Sequence, residues 1–293
     1  MIQRTFIPGS QWLYFKIYTG TKTADEILIR YVYPYVQNLW RDQMIDNYFF
    51  IRYTDPEFHI RLRVHIPDSR NYSTIFQKFL QYVGPEIETG NIIRIMCDTY
   101  VREVERYGDT TIEHIENLFC IDSGTVLELL CRLKEKPAEE QETLRWQIAL
   151  LLLDDILTAF NYDLNGKALV LSRMSESFKQ EFRFTSHAYT KQLNDKYRSE
   201  SDSINQLFAQ KQDIYFAELL ENRKTRYGRI AHDIDHVIAL NSKMKANRDD
   251  LVFSIQHMTM NRWFRSHNRL HELVIYDFLR KHYESQKAKL RYK

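Results

Sequence analysis

The sequence predicts an α+β fold, with an N-terminal antiparallel-type sheet and interspersed helices followed by a mostly helical C-terminal half. Before about residue 110, apolar and polar residues alternate in short runs, which is typical of strands. From about Thr111 onward the spacing becomes helical, and strands that come first followed by helices indicate the α+β class. We expect a single domain over residues 1–293, sheet-rich at 1–110 and helix-rich at 111–293.

The sheet-rich part begins with an alternating run, Trp12–Tyr18. Leu13, Phe15 and Ile17 would share one face of a half-buried strand there. Two further runs flank a turn at residues 54–57 that contains Asp55-Pro56, so they are expected to form a hairpin. The expected elements after the first strand are a helix Ala24–Arg41, strands Tyr48–Tyr53 and Phe58–Ile66, a helix near Ser73–Val83, a loop from Gly84-Pro85 and a strand Ile92–Val101.

Six helices are expected in the second part. Their predicted ranges are Thr111–Leu133, Glu142–Phe160, Ser172–Tyr197, Ile204–Leu220, Thr225–Lys245 and Asp249–Tyr283. Polar or proline-containing segments predict loops at Pro137–Glu140 and Asn161–Lys167 and a break at Ser199–Ser203.

Composition excludes several classes of function. With 41 Lys+Arg and 39 Asp+Glu the formal net charge is only +2, which gives no basis for direct nucleic-acid binding. No glycine-rich phosphate-binding motif occurs. The three cysteines are too far apart for a zinc knuckle, and neither a signal peptide nor a membrane-spanning run is evident. We expect a cytoplasmic protein without a transmembrane segment.

The strand Phe58–Ile66 carries the most informative pattern. Its even positions are apolar, while four potential cations, His59, Arg61, Arg63 and His65, fall on the opposite face. One interpretation is an ordinary solvent-facing sheet surface. The other is an anion site, because arginines on a rigid strand can grip carboxylates or an enolate-like oxygen through forked hydrogen bonds.

Two other polar groups allow both a structural and a functional interpretation. Glu103 and Arg106 lie just past a predicted strand, where they would form either a surface ion pair or part of a loop-borne site. His257 belongs to a helical stripe with Ser254, Asn261 and Arg265. It would be a solvated or hydrogen-bonded histidine, or a group that exchanges a proton near neutral pH.

Metal and hydrolase chemistry receive little support. His232 with His236 and His267 with His271 have helical i, i+4 spacing, but the H-E-x-x-H arrangement is missing. No G-x-S-x-G elbow appears, and no cysteine has a recognisable nucleophile context. We expect neither a metal nor a cofactor.

Four segments together resemble a known family. They are Trp12–Tyr18, Phe49–Pro56 with His59–Arg63, Tyr100–Gly108 and Ser254–Arg262. The chain is similar to the thiopeptide-type bacteriocin biosynthesis family, the C-terminal glutamate-elimination domain of class I lantibiotic dehydratases, over about residues 11–283. Matching the family's motifs residue by residue implies a catalytic set of Arg61, Arg63, Glu103, Arg106 and His257. Asp109 departs from the pattern, since a second glycine often stands there.

The resemblance implies a lyase that removes glutamate from glutamylated Ser or Thr of a ribosomally made precursor peptide, leaving dehydroalanine or dehydrobutyrine. The chain would be the elimination half of a split dehydratase, with a separate glutamylating subunit as partner and a cyclase as a further candidate partner. Arginines would stabilise the enolate and the departing carboxylate, and His257 would act as acid or base. Two alternatives remain: an enzyme that forms the pyridine ring of thiopeptides by cycloaddition, and a non-catalytic scaffold of a peptide-modifying complex.

Overall fold

The computed structural model describes residues 2–184, 186–241 and 248–291. A four-stranded antiparallel sheet has the order β3-β4-β2-β5, and a two-stranded ribbon pairs β1 with β6. The strands are β1 (Thr5–Phe6), β2 (Trp12–Thr19), β3 (Asn47–Thr54), β4 (Phe58–His65), β5 (Ile92–Cys97) and β6 (Tyr100–Val101). The predicted hairpin is therefore confirmed as β3 and β4.

Helices connect the strands and make up the rest of the chain. Those of the first part are α1 (Thr23–Ile27), α2 (Tyr33–Arg41), α3 (Tyr72–Glu88) and the short α4 (Val104–Tyr107), and a π-helical turn, Leu28–Val32, joins α1 to α2. Those of the second part are α5 (Ile112–Lys134), α6 (Ala138–Ala159), α7 (Leu164–Glu181), α8 (His187–Ala209), α9 (Ala217–Ala239), α10 (Arg248–Trp263) and α11 (Asn268–Arg291). The predicted α+β class, with a mostly helical second half, is confirmed.

The sheet is covered on both faces. Phe15 of β2 stacks on Phe79 of α3 with ring centroids 3.8 Å apart, so one face packs on a helix. On the other face Trp12 packs against Phe49 and Tyr100. The prediction of a half-buried first strand was wrong, because aromatic side chains from β3 and β6 cover the face that alternation assigns to solvent.

Several predicted boundaries were also wrong. Two expected long helices are each interrupted: Arg183 lies between α7 and α8, and His267 between α10 and α11, both at positive φ. Arg183 ends α7 in the left-handed conformation, whereas His267 directly precedes the first residue of α11. Neither arginine nor histidine signals that conformation in a sequence as glycine does. Predicted helix Ile204–Leu220 is interrupted between Ala209 and Ala217.

Three predicted breaks are helical instead. Gly84 and Pro85 lie within α3, and α6 begins at Ala138 inside the expected loop. The break expected at Ser199–Ser203 is continuous helix, because Ser199 and Ser201 donate hydrogen bonds to backbone carbonyls three residues earlier. Predicted strand Ile92–Val101 divides into β5 and β6, which join different sheets. The last part of predicted helix Thr225–Lys245 lies outside the described residues.

A buried ion cluster joins the two parts of the chain. The carboxylate of Asp25 in α1 accepts hydrogen bonds from Arg52 of β3 (2.6 Å), Arg145 of α6 (3.0 Å) and Arg265, which follows α10 (2.6 Å). Burial raises the pKa of Asp25, but the charges of Arg52 and Arg145 and the hydrogen bond from Arg265 outweigh burial and bring that pKa to about 2. Asp25 thus fixes α10 relative to β3. Within the described residues, no helix is long and apolar enough to cross a bilayer.

Candidate functional site

The polar face of β4 is not a solvent-facing surface. The side chains of Ile60, Leu62 and Val64 are fully buried on one face, as alternation predicts. On the other face His59 is 0% exposed and Arg63 only 8% exposed. Neighbouring strands supply the cover, since Arg63 lies opposite Tyr14 of β2 and Phe49 of β3.

Arg63 is a buried cation surrounded by aromatic rings. Its guanidinium carbon lies 4.5 Å from the ring centroid of Tyr14, 4.9 Å from that of Tyr100 and 5.2 Å from that of Phe49. Its Nε has no hydrogen-bond partner among the described residues. Since a buried guanidinium is costly unless an anion pairs with it, this arrangement is suited to an anionic ligand.

Arg61 is held in place from two sides. Its guanidinium lies 3.5 Å from the ring centroid of Tyr53, and its Nε donates a 3.1 Å hydrogen bond to Nε2 of His59. Nδ1 of His59 lies 2.8 Å from the carbonyl oxygen of Glu57 and must therefore donate to it. Burial, and the charge of Arg61, lower the pKa of His59. The idea of four cations on this strand was therefore wrong for His59, which is a neutral support.

A guanidinium that the sequence analysis missed, Arg262 at the end of α10, lies beside this group. It is fully buried, its Nε donates to Oγ of Ser123 (3.2 Å), and it lies 4.4 Å from the Phe119 ring centroid. Neither Nη1 nor Nη2 has a hydrogen-bond partner among the described residues. Burial lowers the pKa of Arg262, and the positive charge of nearby Arg63 lowers it further.

The acidic group nearest to Arg262 is already engaged. Asp122 of α5 lies 3.7 Å from Nη1 of Arg262, but it accepts two hydrogen bonds from Arg223 (2.8 and 3.0 Å) and one from Thr259. The buried pair Arg63 and Arg262 therefore keeps N–H groups available for a further anion. Only the position of Arg262 within the last matching segment could have pointed to it in the sequence.

Glu103 and Arg106 lie at the solvent edge of the cluster. Glu103 precedes α4, and its carboxylate is 3.3 Å from Nη1 of Arg106, with both side chains about half exposed. An exposed pair of this kind contributes little to stability. Burial and the charge of Glu103 raise the pKa of Tyr107 to about 12, against the opposing charges of Arg106 and Arg262. Tyr107 thus lies between the exposed and the buried guanidinium groups.

His257 lies on the same helix as Arg262 but faces another partner. Its Nδ1 is 2.8 Å from Oε1 of Glu272 in α11. One turn further along α10, the side chain of Asn261 accepts a 2.9 Å hydrogen bond from the backbone N–H of Arg52, next to Tyr53. The fold therefore brings Arg63 near Arg262, with Arg61 two residues away on β4. Arg106, paired with Glu103, approaches this group through Tyr107, whose ring centroid is 6.0 Å from the Arg106 guanidinium. His257 is placed one helical turn from the edge of β3.

The features considered for other chemistry lie elsewhere. His271 stacks on Phe264 at 4.0 Å, and among the described residues no group of three His, Cys, Asp or Glu side chains is arranged to hold a metal. The three cysteines are free thiols. A cleft of about 590 Å³ beside α9 is lined by Trp40, Tyr48 and Arg226 among others, and by none of the cluster residues.

Comparisons with known proteins place the chain in a family. Residues 12–283 match the family model described as "Lantibiotic biosynthesis dehydratase C-term". The chain therefore belongs to the lantibiotic dehydratase C-terminal family, as the sequence analysis expected.

Among its relatives are the subtilin biosynthesis protein SpaB of Bacillus subtilis, 29% identical over 93% of this chain, and the nisin biosynthesis protein NisB of Lactococcus lactis subsp. lactis, 33% identical over 55% of it. The aligned regions cover only 25% of SpaB and 15% of NisB, so the chain spans about a quarter or less of the length of these curated relatives.

Solved structures share the fold. The tRNA-dependent lantibiotic dehydratase MibB from Microbispora sp. 107891 matches with a TM-score of 0.75 and 20% identity, over 99% of this chain and 29% of MibB. The pyridine synthase TbtD from thiomuracin biosynthesis matches with a TM-score of 0.62 and 12% identity, over 94% of this chain and 100% of TbtD.

Proposed function

We propose that the chain is a lyase that removes glutamate from glutamylated Ser or Thr residues of a ribosomally made precursor peptide, leaving dehydroalanine or dehydrobutyrine. A separate subunit would supply the glutamylated peptide, and a cyclase would act on the product. Membership of the dehydratase C-terminal family supports this class of reaction. The observation that carries the proposal is the buried pair Arg63 and Arg262, which keep N–H groups without a hydrogen-bond partner among the described residues.

The proposed reaction generates negative charge in two places. A base takes the proton from the α-carbon, and charge builds on the adjacent amide oxygen as the enolate forms. The electron pair then makes the Cα–Cβ double bond while the Cβ–O bond breaks, and glutamate departs with a new carboxylate. Fixed donors aimed at such charges contribute about 3 to 4 kcal/mol each in the transition state.

The positions of the arginines suggest which of them stabilise the transition state and which bind the glutamyl group. The buried pair Arg63 and Arg262 would receive the charge that develops in the transition state, because the surrounding rings exclude water and strengthen the interaction. Arg61 and Arg106 lie nearer solvent and would hold the glutamyl group as it enters. His257 would accept the α-proton through Nε2, and Glu103 would orient Arg106.

A peptide carrying a preformed glutamyl ester tests the proposal. Elimination yields a product one water lighter than the unmodified peptide, whereas ester hydrolysis returns the unmodified peptide. We expect the purified chain to give the lighter product and Arg63→Met to give it at least about 100-fold more slowly. Arg198→Met is the matched control, because Arg198 is exposed on α8 and pairs only with Asp195 of the same helix. Unchanged peptide with the wild-type chain would refute the proposal.

Pyridine formation is the second candidate, since TbtD is matched over its entire length. The match of residues 12–283 to the lantibiotic dehydratase C-terminal family favours elimination, a step of dehydration, over this alternative. A peptide that already carries two dehydroalanines separates the two: ring formation from it would replace elimination as the function. If the chain changes neither peptide, the interpretation as a non-catalytic scaffold is supported.

A further inference from the structure

The imidazole of His257 is bound by a carboxylate that solvent does not reach. Glu272 lies in the first turns of α11 and is 0% exposed, and its Oε1 is 2.8 Å from Nδ1 of His257. Its second oxygen, Oε2, accepts no hydrogen bond from the described residues. The His257 side chain itself is 24% exposed. Glu272 thus lies in the interior of the helical layer, and His257 lies between it and the surface.

Helix packing alone does not account for a carboxylate at this position. Burying a carboxylate costs several kcal/mol unless its partners compensate, and an apolar side chain would fill the same space without that cost. Besides His257, the buried hydroxyl of Tyr276 lies near Glu272, and the charged groups that act on this carboxylate are Arg269 of α11 and Glu181 of α7. These two form an ion pair with each other. His257 is therefore the hydrogen-bonded partner of Glu272.

This contact determines which ring nitrogen of His257 can react. Burial raises the pKa of Glu272, and the hydrogen bond and charge of His257 oppose that rise. When Glu272 is ionised it accepts the proton on Nδ1, so the lone pair of the neutral ring is on Nε2. Nε2 has no hydrogen-bond partner among the described residues. When Nε2 takes up a proton, the negative charge of Glu272 stabilises the resulting imidazolium, as the buried carboxylate of a catalytic triad does.

We infer that Glu272 is a positioning residue that fixes the tautomer of His257 and stabilises its imidazolium form while His257 transfers the α-proton in glutamate elimination. This inference rests on the proposed function. In the step concerned, the Cα–H bond breaks, its proton goes to Nε2 and its electrons form the Cα–Cβ double bond, while the Cβ–O electrons leave with glutamate. Glu272 does not touch the substrate.

The test measures elimination from the preformed glutamyl peptide as a function of pH. We expect Glu272→Gln to lower kcat about 100-fold or more with little change in KM, because the amide keeps the volume but lacks the charge. The acid limb of the kcat/KM profile should move to lower pH, since the imidazolium loses its stabilising neighbour. Glu272→Asp, which restores the charge, should recover part of kcat.

Two controls separate positioning from folding. Glu284→Gln makes the same chemical change in an exposed carboxylate of α11 that pairs with Arg280, and it should leave kcat and the pH profile unchanged. The double variant His257→Ala with Glu272→Gln should be no slower than His257→Ala alone, because the two side chains act as a unit. Thermal unfolding of each variant confirms that it is folded.

The results distinguish the two proposals. If the wild-type chain eliminates glutamate while Glu272→Gln keeps its kcat and its acid limb, the role of Glu272 is wrong and the lyase remains. Multiplicative losses in the double variant would likewise overturn it. If the wild-type chain eliminates nothing, the proposed function itself fails.

Discussion

Replacement of Arg63 by methionine should separate activity from stability. The Arg63 guanidinium contacts three aromatic rings, and its Nε makes no hydrogen bond to any residue that the structure describes. Cation–π contacts contribute about 0.5 to 2 kcal/mol each. Removing the charge also relieves the desolvation cost and the repulsion from Arg262. We therefore expect the free energy of unfolding to change by only about 1 kcal/mol, while kcat/KM for elimination falls about 100- to 1000-fold.

Arg102→Met provides the matched comparison. Arg102 is also buried, but it donates to both carboxylate oxygens of Glu116, at 2.8 and 2.6 Å. Breaking such a buried pair leaves an uncompensated charge and should cost about 3 to 5 kcal/mol. Urea unfolding measures both variants, and a discontinuous mass assay measures elimination. If Arg63→Met proved as unstable as Arg102→Met, or eliminated glutamate at the wild-type rate, Arg63 would be a structural residue and our reasoning about the buried pair would be wrong.

Three further predictions follow from the same geometry. Free glutamate, the proposed product, should raise the Tm of the wild-type chain by occupying the arginine cluster, whereas it should not shift the Tm of Arg63→Met; glutamine serves as the control ligand, and equal shifts for both ligands would count against the site. Tyr53→Ala should lower kcat/KM for elimination about tenfold, because Arg61 loses the ring 3.5 Å from its guanidinium, and Tyr53→Phe should restore most of it; equal rates for the two variants would contradict this role. Asp25→Asn should lower the free energy of unfolding at pH 7 by about 3 to 5 kcal/mol in urea titrations, because three buried or partly buried arginines lose their common carboxylate.

The pH dependence of Asp25→Asn has a definite sign. The pKa of Asp25 is about 2 in the folded chain, against an ordinary value of 3.8. Its ionisation therefore stabilises the fold fully above about pH 4, by about 2 kcal/mol, and this contribution disappears as the pH falls towards 2. Between pH 4 and 2 the wild-type chain should lose more stability than Asp25→Asn. Parallel curves for the two proteins over that range would show that Asp25 is not the group responsible.

Much of the architecture was readable from local patterns. The alternation in Phe58–Ile66 and the turn at Asp55-Pro56 correctly predicted the hairpin, and helical spacing after Thr111 correctly predicted the helical half. The wrong predictions concern contacts between residues that are far apart in the sequence. Trp12 and Tyr14 belong to a strand face that looks solvent-facing in isolation, but β6 covers it from almost 90 residues away.

In the candidate site, too, local sequence segments pointed to some residues, whereas the recognition of others depends on tertiary contacts. Four short segments sufficed to select Arg61, Arg63, Glu103, Arg106 and His257, and their roles in catalysis remain predictions. Arg262 went unnoticed because an arginine at the end of a helix usually reaches solvent, and nothing local indicates that Phe119 and Ser123 bury it. His59 was counted as a cation for a similar reason, since only its hydrogen bonds identify the neutral ring.

The sequence by itself determined the fold class, the family and the chemical character of the candidate groups, because these depend on periodicity, on residue type and on short ordered segments. Only the tertiary structure decided which charges are paired. Asp122 is hydrogen-bonded to Arg223 and Thr259, Asp25 to three arginines, and Glu272 to His257. Arg63 and Arg262, in contrast, are buried with N–H groups that have no hydrogen-bond partner among the described residues. The reason is physical: the desolvation of a charge and the distance to its counter-ion are set by residues far apart in the chain.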